Sequence, residues 1–127
     1  MTYQSSSARW ANLLGGFYSR ESLTTLLGLS LYEINQMVTD GAILELVTTS
    51  SMHVYPGFQF TDAKPLSRLK TLIPHINDID SPLRWTLAAW LVTPQPDLDY
   101  LTPAAYLNTD LPLDPALFLV SSLLEII

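Results

Sequence analysis

Asn35, Gln36 and Thr39 fall in a short stretch, Leu31–Thr39, whose apolar residues Ile34, Met37 and Val38 recur at helical spacing. Carboxamides pair bidentately with the major-groove edge of adenine, and residues four apart share a helix face. Asn35 and Thr39, with Gln36 beside them, therefore have the chemistry to read bases. Arg20, one element earlier, offers a cation to a phosphate. The stretch Leu31–Thr39 itself holds no Lys or Arg and contains Glu33. Phosphate contacts supply most DNA affinity, so operator DNA is expected to bind weakly to the chain alone. A second spacing, His75-x-x-Asp78-x-Asp80, groups one imidazole with two carboxylates. Such a group near a helix end is more often a solvated cap than a metal ligand set, and no metal is assigned. His53 stands apart from it. With no cysteine in 127 residues, thiol nucleophiles, Cys-ligated zinc, iron–sulfur clusters and disulfides are excluded. Neither a Ser-His-Asp spacing nor a phosphate-cradling glycine loop is present. The sequence predicts no enzyme and no cofactor.

What must position these residues is small. The chain suits one domain or two very small ones, and with 48% hydrophobic against 14% charged residues it should fold. Residues 1–70 hold five basic and five acidic groups, whereas residues 71–127 set Arg84 alone against seven acids and carry the whole net charge of −6. That sign argues against coating nucleic acid or an anionic membrane. No apolar run reaches the length of a signal peptide or a membrane span, so a cytoplasmic protein without membrane contact is expected.

Helices are predicted from about Ser7 to Leu14, ending at Gly15–Gly16 as a loosely docked arm, and from a Ser19 cap to Gly28. The next begins at Ser30, where Ser30 and Glu33 have capping-box spacing, and leaves at Asp40–Gly41. β-Branched and aromatic residues in Ala42–Val47 and Met52–Tyr55 predict a hairpin closed by Pro56–Gly57. Phe58 and Phe60, alternating about Gln59, read as core. A helix over Pro65–Ile73 points Arg68 and Lys70 outward. Ser81–Pro82, Thr102–Pro103 and Asp114–Pro115 then mark three further helix starts. The organisation expected is residues 1–62 as an arm and helix-turn-helix module, and 63–127 as a helical domain.

Helix, tight turn, helix and hairpin are the order of a winged helix-turn-helix, and Ser19-Arg-Glu-Ser-Leu-Thr-Thr-Leu-Leu-Gly-Leu-Ser30 resembles the opening of that motif. The run Trp85-Thr-Leu-Ala-Ala-Trp-Leu-Val-Thr-Pro-Gln-Pro-Asp-Leu-Asp-Tyr-Leu-Thr-Pro-Ala-Ala-Tyr-Leu107 resembles the C-terminal toxin-binding domain of the Xre/MbcA/ParS antitoxins. In that pattern a helix ends in Trp-Leu, here Trp90–Leu91. A loop then carries a Leu, here Leu98, and Thr-Pro opens the next helix, here Thr102–Pro103. Asp99 and Tyr100 stand where the family commonly has glycine.

The resemblance implies a mainly α protein, a small winged helix-turn-helix with a short hairpin followed by an antitoxin-like helical domain. Its implied function is to neutralise a cognate toxin by occluding the active site, with regulation of its own operon as a corollary. A dimeric transcriptional regulator without a toxin, or an adaptor that has lost DNA binding, are the alternatives. Trp85 lies off the Leu83–Leu87–Trp90 stripe and reads as an interface anchor, with Asp97, Asp99 and Tyr100 as acidic and aromatic neighbours. The last helix has only Ser121, Ser122 and Glu125 as a polar stripe, so its own core, a second copy or a toxin must cover it. Leu117, Val120 and Leu124 are expected inward, with Phe118, Ile126 and Ile127 toward the partner.

Overall fold

Two reciprocal caps set the front of the chain. In the computed structural model, which describes residues 9–126 apart from the side chain of Ile126, Ser19 Oγ accepts from the Ser22 N–H at 3.1 Å and Ser22 Oγ accepts from the Ser19 N–H at 2.8 Å. Ser30 and Glu33 repeat the device at 3.1 and 3.0 Å. These caps satisfy donors that a helix start leaves free, and they begin α2 (Arg20–Leu27) and α3 (Leu31–Thr39) where the spacing predicts. Before them come α1, residues 9–14, and β1 (Phe17–Tyr18); the expected start at Ser7 lies outside the described residues. After them come β2 (Leu46–Val47) and β3 (His53–Pro56). The three strands form one antiparallel sheet in the order β1-β3-β2, with Tyr18 opposite Tyr55 and Val47 opposite His53.

The strand expected over Ala42–Val47 is much shorter, because side-chain amides take the place of a neighbouring strand. Gln59 Oε1 accepts from the Leu44 N–H at 2.8 Å while Gln59 Nε2 donates to the Leu44 carbonyl at 2.9 Å. Asn77 donates to the Val38 and Ile43 carbonyls and accepts from the Glu45 N–H. Gln59, about which Phe58 and Phe60 alternate, is thus wholly buried, while Phe58 and Phe60 are half-buried. A buried carboxamide that satisfies both backbone groups of Leu44 leaves nothing unpaired there.

A second hairpin, β4 (Phe60–Thr61) and β5 (Lys64–Pro65), turns on left-handed Asp62 and Ala63. It takes up the start of the helix predicted from Pro65, leaving α4 as Leu69–Leu72. Leu66, Leu69, Leu72 and Ile73 are buried as expected and Lys70 is exposed. Arg68 corrects the expectation: it turns inward, and its guanidinium donates to the carbonyls of Tyr106, Leu107, Thr109 and Leu111 at 3.2, 3.2, 2.6 and 2.8 Å.

The remaining helices are α5 (Ser81–Leu91), α6 (Pro103–Leu107) and α7 (Asp114–Ile126). Thr102 caps α6, its Oγ1 accepting from the Ala105 N–H at 3.0 Å. The cap position of α5 is Asp80, not Ser81, whose hydroxyl turns to the Val47 carbonyl.

The larger core joins Leu14, Leu44 and Leu46 to Leu87, Leu91, Leu107 and Val120, so packing does not divide at the expected 62/63 boundary. A smaller cluster of Leu23, Ile34, Ile43 and Tyr55 lies under α2 and α3. Nor is α1 a loose arm: Leu14 is fully buried, and Trp10 meets Trp85 edge-on at 5.0 Å. Gly57 secures that corner. Its N–H donates to the Gly16 carbonyl at 2.8 Å, and a Cβ there would collide with the Gly15 carbonyl oxygen.

Candidate functional site

Two surfaces collect the residues that the sequence singles out. The first is α3. Burial of Ile34 fixes its roll, so Asn35, Gln36 and Thr39 are exposed together with Leu31 and Tyr32, the last 71% accessible. Arg20 does not join them as a free cation. Its Nε donates to the Tyr55 hydroxyl at 3.1 Å and its Nη2 to Glu45 Oε2 at 3.3 Å.

Glu45 is the centre of this internal network, which the sequence reading missed. Tyr55 donates its hydroxyl to Glu45 Oε2 at 2.6 Å, and His53 Nδ1 lies 3.1 Å from Glu45 Oε1. Burial works against ionising Glu45, but the Tyr55 hydroxyl, His53 and Arg20 outweigh it and hold the carboxyl below the usual glutamate range. Burial, reinforced by the adjoining carboxylate, pushes the Tyr55 hydroxyl up to about 12. The hydrogen bond to Tyr55 raises the pKa of Arg20, which stays charged. Across the network, Arg84 Nη1 donates to the Glu45 backbone carbonyl at 2.8 Å. Arg84 is a buried residue whose Nε has no hydrogen-bond partner. A lone acid among the β-branched residues of 42–47 was the available signal, since an acid inside an apolar strand needs partners.

The second surface is the loop between α5 and α6 with the outer side of α7. Residues Pro96–Leu98 form a 3-10 turn that buries Leu98 against α7. The Gln95 N–H donates to the Leu101 carbonyl at 3.0 Å and the Tyr100 N–H to the Gln95 carbonyl at 2.9 Å, closing the loop on itself. Asp97, Asp99 and Tyr100 all point outward from it. Asp99 and Tyr100 hold φ of 57° and 66°, a left-handed backbone that suits the glycine of the resembled pattern better than either residue present.

On α7, Ala116 and Val120 are buried, Leu117 and Leu123 pack on the core, and Phe118 is 70% exposed. Leu124, expected inward, is 39% exposed; the Ile126 side chain and Ile127 lie outside the described residues. Trp85 is engaged within the chain. Its Nε1 donates to the Val47 carbonyl at 3.0 Å, and Trp10 and Phe17 pack edge-on against the half-buried ring.

Of the two histidines, His75 stands 3.7 Å from Asp78, both exposed. Among the described residues, no three His, Asp or Glu side chains are gathered where they could hold a metal ion. No described helix is long and apolar enough to cross a membrane. Comparison of the chain with protein-family models, curated proteins and solved structures finds no match, so the two surfaces must be interpreted from their own chemistry.

Proposed function

We propose that this protein is the antitoxin of a bacterial toxin–antitoxin pair, acting in the cytoplasm, and that it neutralises its partner by covering the partner's active site. One observation carries this reading. Asp97, Asp99 and Tyr100, within the segment that resembles a toxin-binding domain, stand exposed on a tightly closed loop packed on α7, where Phe118 is also exposed. A rigid loop with a projecting aromatic loses little freedom on docking, which favours binding.

The front half reads as a winged helix-turn-helix. Its order of helix, strand, helix, helix, strand, strand, with β3 between β1 and β2, supports that reading. Regulation of its own operon follows as a corollary. With Arg20 engaged internally and no cation on α3, operator binding depends on an assembled complex or dimer. The second reading, a dimeric regulator without a toxin, is favoured by the free Asn35, Gln36 and Thr39 on α3.

The full chain used as bait in its native cells, followed by expression of each captured protein with and without it, separates these readings. The expected outcome is a captured protein that arrests growth alone and does not when the chain is present. Tight, salt-sensitive binding of the chain alone to its promoter, with no growth-arresting partner, would favour the regulator instead.

A further inference from the structure

We draw no further inference here: the strongest candidate, the exposed and uncharged face that Tyr32, Asn35, Gln36 and Thr39 form on α3, carries nothing beyond the base reading already given for it, because nothing in the structure shows what covers it.

Discussion

Glu45 and Arg68 each hold several short elements in place, with opposite kinds of partner. Glu45, in the front half, is a carboxylate surrounded by Arg20, Tyr55 and His53, while its backbone takes Asn77 and Arg84 from the back half. Arg68 is a guanidinium inserted among four carbonyls at and beyond the end of α6. A carboxylate can be neutralised by acid, whereas a guanidinium and a carbonyl cannot at any ordinary pH. The front tie is therefore titratable and the back tie is not. The surfaces differ in the same sense. Arg20, engaged with Glu45 and Tyr55, adds no free cation beside α3, whose own sequence has none, and burial of Arg84 leaves residues 71–127 with acids as their only exposed Asp, Glu, Lys or Arg side chains.

The largest effect expected from breaking this comparison is at Arg68. Arg68→Ala removes charge-assisted donors from four carbonyls at once and should cost about 3 kcal/mol in urea denaturation. Arg68→Lys should recover less than half of that, because one ammonium cannot span the same carbonyls. A loss below about 1 kcal/mol would show that water replaces the guanidinium.

Glu45→Gln should cost about 2 kcal/mol, since Arg20 and Tyr55 lose a charged acceptor at a buried site. Acid should act on the same tie. Glu45 has a lowered pKa in the folded chain, so its contribution is complete above the unfolded value and is lost as pH falls through the folded one. Denaturation midpoints measured from neutral pH downward should therefore drop more steeply for the original chain than for Glu45→Gln. Parallel curves would place the acid sensitivity elsewhere. The smallest effect sharpens the contrast at the two surfaces. Ser30→Ala should cost about 1 kcal/mol through loss of the α3 cap. Tyr100→Gly should instead gain about 1 kcal/mol by relieving a left-handed backbone. Thermal melts of both variants check the opposite signs.

Local signals carried much of the architecture. Ser19, Ser30 and Thr102 act at the helix starts their spacing predicts, and Leu66, Leu69, Leu72 and Ile73 face the core as their periodicity predicts. Several of the misreadings share one cause, which is pairing between residues far apart in the chain. Gln59 and Asn77 stand in for a strand beside Leu44, Arg68 crosses to α6, and Trp85 reaches β2. No periodicity announces such contacts, because each depends on where another element ends. The candidate surfaces were legible for the opposite reason. Asn35, Gln36, Asp97, Asp99, Tyr100 and Phe118 are exposed side chains whose placement follows from helix phase and loop position alone.

The central claim is that the acidic and aromatic back face, not α3, captures and silences a toxin. Growth of cells expressing the captured toxin, compared between chains carrying Asp97→Lys with Asp99→Lys and chains carrying Asn35→Ala with Gln36→Ala, tests it most directly when both pairs are matched for abundance and melting temperature. The account predicts arrested growth with the lysine pair and full rescue with the alanine pair. Rescue by the lysine pair, with arrest in the alanine pair, would contradict it.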